Sequence, residues 1–100
     1  MSSPSFDDRD GSIWFDGELI DFRSAKIHVL SHGLHYGSAV FEGERVYNGK
    51  IFKSRQHSER LIKSGNYIDV PIPYTVNEIE DAKKLILNDS GLKEAYIRAV

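Results

Sequence analysis

The sequence contains no cysteine, which excludes a disulfide scaffold and any metal site built from thiolates. It also lacks an excess of either charge, because 13 lysines and arginines stand against 15 aspartates and glutamates, for a net charge of -2. Nucleic acids and anionic membranes select clustered basic residues, so neither partner is predicted. No apolar run approaches the roughly 20 residues of a membrane span.

The first eleven residues are rich in Ser, Asp, Pro and Gly and contain no apolar core of a signal peptide. We interpret residues 1–11 as a flexible leader and residues 12–100 as one domain, since a chain of this length suffices for one. Without cysteine or a signal sequence, the protein is expected in the cytoplasm. The chain stops at Val100 inside a predicted strand, so we expect it to be cut from a longer protein.

Two hairpins are predicted where an acidic or amide residue precedes a glycine, at Asp16-Gly17 and Asn48-Gly49. Such pairs favour tight turns because both central residues adopt positive φ. Strand-like segments flank the turns, and one more ends the chain: Ser12–Phe15, Glu18–Asp21, Val40–Tyr47, Lys50–Lys53 and Ala95–Val100.

Helical periodicity predicts two helices in the second half of the chain. The first runs from Arg55 to about Tyr67 with Ser54 as its N-cap. The second begins at a capping box of Thr75 and Glu78 and ends at a glycine. Their inner faces are predicted to carry Leu61, Ile62, Ile68, Val76, Ile79, Ala82, Leu85 and Ile86. The elements together predict an α+β fold, in which a mainly antiparallel sheet made of both hairpins and the last strand packs on two helices.

Alternation along the strand Val40–Tyr47 places four residues on one face: Phe41, Gly43, Arg45 and Tyr47. Arginine pairs a carboxylate, aromatic surface covers an apolar chain and glycine leaves room, so this face suits a small amphipathic acid. Tyr96 and Arg98 repeat the combination of phenol and guanidinium two residues apart. An exposed edge strand with solvated arginines explains the same pattern, and the pattern alone favours that explanation.

Other polar residues offer weaker signals. Arg60 is suited to clamp a phosphate, although a helical arginine beside Glu59 more often lies on a solvated face. The seven lysines all lie in polar stretches or on predicted outer helix faces, so none is predicted to be desolvated enough to form a Schiff base. Three histidines are spaced like metal ligands on one helix face: His28, His32 and His35. Gly33 and Gly37 disfavour a regular helix there, so no metal is expected.

Several sequence segments, taken in their order along the chain, resemble those of a known enzyme family. The segments Ile13–Glu18, Ala25–Gly37 and Val40–Tyr47 are followed by Arg60-Leu61 in a helix and by Tyr96-Ile97-Arg98. In this order and at these spacings, they resemble the N-terminal small domain of branched-chain amino-acid aminotransferases. These are pyridoxal 5′-phosphate (PLP) enzymes of fold type IV. The resemblance covers residues 12–100.

The resemblance implies a cofactor site shared with parts of the enzyme that this chain lacks. Arg60 matches the arginine that binds the PLP phosphate, and Tyr36 matches a tyrosine that reaches into a neighbouring subunit's site, so that a homodimer is required. The family's Schiff-base lysine lies beyond position 100, in a larger second domain. These 100 residues alone are therefore expected to supply no catalytic base.

For the substrate, the resemblance implies that Phe41 and Gly43 line an apolar side-chain pocket with Arg45 at its entrance. Tyr96 and Arg98 match substrate-recognition positions. The implied reaction transfers the amino group between branched-chain L-amino acids and 2-oxoglutarate, which becomes glutamate, and an arginine serves the side-chain carboxylate of glutamate.

Three alternatives stay open. D-amino-acid aminotransferases and aminodeoxychorismate lyases share the fold type, although the strings His-Gly-Leu-His-Tyr-Gly and Phe-Glu-Gly-Glu-Arg favour the branched-chain group. A stand-alone binding or scaffold domain without catalysis is consistent with the missing lysine.

Overall fold

The computed structural model describes residues 5–100, which fold into five strands and three α-helices. The described chain confirms the α+β class, and none of its helices has the length and apolarity needed to cross a membrane. In chain order the elements are β1 (Ser12–Phe15), β2 (Glu18–Asp21), a 3₁₀ turn (Phe22–Ser24), α1 (His32–Tyr36), β3 (Glu42–Tyr47), β4 (Lys50–Ile51), α2 (Ser54–Tyr67), α3 (Val76–Ser90) and β5 (Ala95–Ala99).

The strands of residues 5–100 form two antiparallel sheets. Strands β1 and β2 pair only with each other, and the second sheet has the order β4-β3-β5. Both tight hairpin turns are confirmed, since Asp16 and Asn48 have φ of 48° and 50° and each precedes a glycine of positive φ. The expectation that both hairpins share one sheet is wrong. The ring of Trp14 packs edge-on against Tyr74 at 5.1 Å, and Tyr74 donates a hydrogen bond to Asp16, so the first hairpin is held near the start of α3.

The apolar core lies where α2 packs against α3 and β3, and α3 also packs against β1. Its buried apolar residues in the described chain are Val46, Leu61 and Ile79. Ile68 and Leu85, both predicted to face inward, are exposed. Ile68 comes directly after the last residue of α2, and Leu85 lies on the outer side of α3. Leu85 points outward because Lys83 occupies the inner face, and helical residues two positions apart are separated by about 200° around the axis.

Local signals set the ends of α3 correctly. The Thr75 hydroxyl accepts a hydrogen bond from the Glu78 amide at 3.1 Å, and the Glu78 carboxylate accepts one from the Thr75 amide at 2.9 Å. The predicted capping box is therefore confirmed. The helix ends at Gly91, whose φ of 68° is the left-handed conformation that glycine adopts most easily.

The start of α2 departs from prediction. Lys53 is the N-cap, in a left-handed conformation with φ of 53°, and Ser54 is the first helical residue. Ser54 does not cap the helix because its hydroxyl donates to the Glu80 carboxylate on α3, at 2.8 Å. The predicted return strand Lys50–Lys53 is shortened to Lys50–Ile51, since the backbone already turns toward the helix.

The predicted leader, residues 1–11, lies partly outside the described residues, because the structure describes the chain from residue 5. In the described part, Asp8 and Asp10 each accept a hydrogen bond of 2.8 Å from the Arg23 guanidinium. Both ion pairs are solvent-exposed, so they contribute little to stability.

Candidate functional site

Five predicted site residues share one surface of the β4-β3-β5 sheet. Gly43 pairs with Arg98, and Arg45 pairs with Tyr96, across β3 and β5. Directly paired residues project to the same side of a sheet. The Arg98 guanidinium lies over the Phe41 ring, 4.4 Å from its centroid. We call this surface the open face, and it comprises Phe41, Gly43, Arg45, Tyr47, Tyr96 and Arg98.

The open face is exposed and carries positive charge. Phe41 and Tyr96 are each 57% exposed, and neither Arg45 nor Arg98 has an acidic partner among residues 5–100. The Arg45 guanidinium lies 5.5 Å from the centroid of the Tyr47 ring. Two guanidiniums, two phenols and the Phe41 ring therefore face solvent together, an arrangement that suits an acid with an apolar or acidic side chain.

Tyr96 fills the space beside Gly43. A Cβ atom built on Gly43 would overlap both the hydroxyl oxygen and the Cζ atom of Tyr96. Tyr96 is paired with Arg45, so its ring leans diagonally along the strand toward the glycine. The room that the glycine leaves is thus occupied by a phenol of the same chain, and the missing side chain allows Tyr96 to lie against the strand.

The opposite face of β3 is buried and acidic. Glu42, Glu44 and Val46 are 5%, 1% and 0% exposed, and they face α2 and α3. Two carboxylates buried within so small a domain require cationic or hydrogen-bonding partners. The helices supply a different cation for each carboxylate, Lys83 for Glu44 and Arg60 for Glu42.

Lys83 contradicts the prediction that no lysine of this chain is desolvated, because it is 4% exposed. Its ammonium donates to Glu44 at 2.5 Å, to the Ser58 hydroxyl at 2.6 Å and to the Ser54 carbonyl at 3.0 Å. Burial raises the pKa of Glu44, and the hydrogen bond from Lys83 opposes that rise. The sequence gives a hint for the glutamates alone, since Glu42 and Glu44 share an alternating strand face with two valines, and it does not indicate Lys83 as a partner.

Arg60 belongs to α2 and binds Glu42, whose side chain lies on the buried face of β3. Its Nε and Nη2 atoms donate to the two oxygens of Glu42, both at 2.7 Å. The His57 Nδ1 atom is 2.7 Å from the same carboxylate. The hydrogen bonds from Arg60 hold the pKa of Glu42 at about 2 although burial opposes them, and His57 adds to the lowering. An ionised carboxylate only accepts hydrogen bonds, so Nδ1 of His57 is the donor.

The guanidinium of Arg60 keeps one edge toward solvent. Its side chain is 66% exposed, and Nη1 has no hydrogen-bond partner within residues 5–100. Arg60 borders a shallow depression that is also lined by Lys53, Gln56 and His57. Sequence reasoning singled out Arg60 but missed Glu42 and His57, which the structure places against it.

Glu42 makes folding stability depend on pH. Its pKa falls from 4.5 to about 2 on folding, so its ionised form stabilises the chain above about pH 4.5, and this contribution is lost as pH falls toward 2. Such a shift corresponds to about 3 kcal/mol, reduced here to about 1–2 kcal/mol because Arg60 is largely exposed. Urea unfolding followed by circular dichroism should show Glu42→Gln less stable by this amount at pH 7, with a difference that shrinks between pH 5 and pH 3. A difference independent of pH would contradict this linkage.

Tyr36 is the last residue of the five-residue helix α1. Its ring is 75% exposed and packs against the rings of His32 and His35, with centroids 4.6 and 6.4 Å away. No hydrogen bond or ring contact within residues 5–100 joins Tyr36 to the open face. The rings of His28 and His35 bond to backbone atoms of residues 29–30, and the described residues contain no group of three side chains arranged to hold a metal ion.

A sequence profile described as amino-transferase class IV matches residues 39–100, more than half of the chain. The chain belongs to the class IV aminotransferase family. The matched region contains α2 with Arg60 and the whole open face, and Tyr36 precedes it.

Relatives of this class IV aminotransferase chain include proteins named branched-chain aminotransferases. It is 45% identical over 98 residues to the branched-chain-amino-acid aminotransferase of Pseudomonas aeruginosa, covering 94% of this chain and 32% of that protein. The Escherichia coli branched-chain aminotransferase structure superposes with a TM-score of 0.86 at 37% identity, covering 90% of this chain and 32% of that one. The chain thus spans about a third of the length of these relatives.

A third relative carries bound ligands. The T.th. branched-chain aminotransferase, complexed with N-(5′-phosphopyridoxyl)-L-glutamate, matches with a TM-score of 0.85 at 37% identity, over 90% of this chain and 32% of that one. The same enzyme has also been solved with 4-methylvaleric acid. The solved relative therefore holds a cofactor joined to an acidic amino acid in one structure and an aliphatic acid in the other.

Proposed function

We propose that residues 12–100 form the N-terminal small domain of a PLP-dependent transaminase that exchanges the amino group between branched-chain L-amino acids and 2-oxoglutarate. The observation that carries this proposal is the open face of a class IV aminotransferase chain, where two guanidiniums without acidic partners among residues 5–100 flank a phenol and an aromatic ring. The same face offers an apolar surface to leucine, isoleucine or valine and a cationic one to glutamate.

The two kinds of substrate use different parts of the open face. An aliphatic side chain is covered by the Phe41 ring, which is 57% exposed. The side-chain carboxylate of glutamate pairs with a guanidinium, either Arg98 above that ring or Arg45 two residues along β3 from Gly43. The phosphopyridoxyl-glutamate and 4-methylvaleric acid complexes of the T.th. relative support this dual use.

The residues of this chain fit the phosphate end of the cofactor. The outward edge of Arg60 offers N–H donors in the planar arrangement that phosphate oxygens accept, and Lys53 borders the same depression. When bound, PLP supplies the electron sink for amino transfer. Lys83 does not serve as the cofactor's lysine, since its ammonium is enclosed by Glu44 and Ser58. We place that lysine in a second domain of the full-length enzyme.

The proposed enzyme acts as a homodimer in the cytoplasm, in branched-chain amino-acid biosynthesis. Tyr36 is the residue proposed to reach the partner's site. Its exposed position supports this role. The nearby apolar side chains Val29, Leu30 and Leu34 are also exposed, at 65%, 72% and 59%. Contiguous exposed apolar surface is typical of protein interfaces.

A substrate comparison with the full-length enzyme tests the proposal. We expect leucine to give 2-oxoglutarate-dependent glutamate formation, with a kcat/KM at least about a hundredfold above that of D-alanine. Aminodeoxychorismate should give no product. If leucine gives no glutamate while D-alanine or aminodeoxychorismate is consumed, the protein belongs to another branch of the fold type and the branched-chain assignment is wrong. If none of the three reacts, a non-catalytic binding domain is the better explanation.

A further inference from the structure

We propose that Glu42 is a positioning residue for the cofactor phosphate, acting through Arg60. Its buried carboxylate holds the Arg60 guanidinium by two hydrogen bonds, so that the opposite edge of the guanidinium faces the anion. The inference rests on the proposed function, in which Arg60 binds the phosphate of PLP.

Different N–H donors of Arg60 serve the contact with Glu42 and the proposed contact with the phosphate. A guanidinium has five N–H donors in a fixed plane. One on Nε and one on Nη2 go to the two oxygens of Glu42 at 2.7 Å. The other three, two on Nη1 and one on Nη2, point away from Glu42 and have no partner within residues 5–100. Two of these donors, one on each Nη atom, lie along one edge of the guanidinium, and two phosphate oxygens can accept from them together.

The carboxylate of Glu42 is itself held in place. Glu42 is 5% exposed and belongs to β3, the central strand of its sheet. His57 lies one helical turn before Arg60 and donates to the same carboxylate, at 2.7 Å. The Arg60 side chain is long and 66% exposed, so without Glu42 it has many rotamers of similar energy. Fixing one of them in advance lowers the entropy that phosphate binding must remove.

Strand β3 connects the proposed phosphate position at Arg60 with the open face. Glu42 faces the helices and orients Arg60, whereas the next residue, Gly43, faces outward and receives Tyr96. A negative charge near a phosphate opposes its binding. Here, however, the Arg60 guanidinium lies between the Glu42 carboxylate and the proposed position of the phosphate. We therefore expect the loss of orientation to outweigh the loss of repulsion when Glu42 is neutralised.

The experiment compares two cofactor forms on the full-length apoenzyme. Dissociation constants are measured by absorbance titration for PLP and for pyridoxal, which lacks the phosphate, with native protein, Glu42→Gln, Arg60→Ala and the double variant. Removing an orienting partner typically costs about 10–100-fold in affinity at metal sites, and we expect a loss of about tenfold or more for PLP in Glu42→Gln. Pyridoxal affinity should stay within about twofold, and Glu42→Gln should add no loss in the Arg60→Ala background.

Glu59→Gln is the matched control, because it removes the same charge one residue before Arg60. The Glu59 carboxylate pairs with Arg55 at 3.5 Å on the exposed side of α2. PLP affinity should therefore equal that of the native protein. If Glu42→Gln does not fold by circular dichroism, Glu42→Asp carries the test, since it keeps the charge but withdraws the carboxylate by one methylene and should also weaken PLP binding.

Unchanged or tighter PLP binding in the folded Glu42 variant, or an equal loss for pyridoxal, would overturn the positioning role. Unchanged PLP affinity in Arg60→Ala has a different meaning, because it would remove the phosphate role of Arg60 and with it part of the proposed function. Native PLP affinity in the Glu42 variant alone therefore rejects the positioning role, whereas native PLP affinity in Arg60→Ala rejects the phosphate role of Arg60.

Discussion

Replacing Lys83 by methionine should destabilise the fold by about 3–5 kcal/mol, since it leaves a buried carboxylate without its cation. Glu44 is 1% exposed, and the ammonium of Lys83 is its ionic partner at 2.5 Å. The second oxygen of Glu44 has no hydrogen-bond partner in the described part of the chain, so little else compensates its charge. The Ser58 hydroxyl would also lose the Lys83 donor at 2.6 Å.

Urea unfolding of the full-length protein measures this loss. Lys84→Met is the matched control, because the neighbouring lysine is exposed and its replacement should change stability by less than about 0.5 kcal/mol. A double variant, Lys83→Met with Glu44→Leu, should recover most of the loss, since a buried ion pair can be exchanged for apolar packing at little cost. Equal stability of the Lys83 and Lys84 variants would show that Glu44 needs no cation.

Replacing Gly43 by alanine should lower kcat/KM for leucine by about a hundredfold while changing the thermal midpoint little, because misplacing a binding group by about 1 Å can cost that much in rate. The added Cβ overlaps the Tyr96 hydroxyl and Cζ, so the ring must leave its place beside the strand. Tyr96 is 57% exposed, so its ring has space to rotate at small cost to stability. The open face then loses the placement of its phenol.

A double-mutant cycle decides whether Gly43 acts through Tyr96. In a Tyr96→Ala background the alanine at position 43 meets no ring, so Gly43→Ala should cause no further loss of kcat/KM. A full loss in that background would instead mean that the glycine leaves room for the substrate itself. Native kcat/KM in the single variant would exclude both explanations.

Short-range chemistry accounts for the features that could be predicted from the sequence. The turns at Asp16 and Asn48 depend on the residue that follows each of them, and the cap at Thr75 depends on a side chain three residues away. The open face follows from the two-residue period of a strand. Family motifs supplied the rest of the candidate site, including Arg60, whose role remains a prediction.

Failures of prediction fall where distant segments meet. Serine is a favoured N-cap residue, yet the Ser54 hydroxyl donates instead to Glu80 on α3, 26 residues later in the chain. Lys83 resembled a surface lysine because its own segment is polar. Its partner Glu44 is 39 residues away, and no local rule reports that separation.

The amino-acid sequence by itself determined the family, the hairpin turns, the capping box and the set of residues that alternate onto the open face. Only the tertiary structure decided which face of β3 is buried, and with it the ion pairs of Glu42 with Arg60 and of Glu44 with Lys83. The reason is physical: alternation defines two faces of a strand equally well, and the helices that cover one of them bring their own cations.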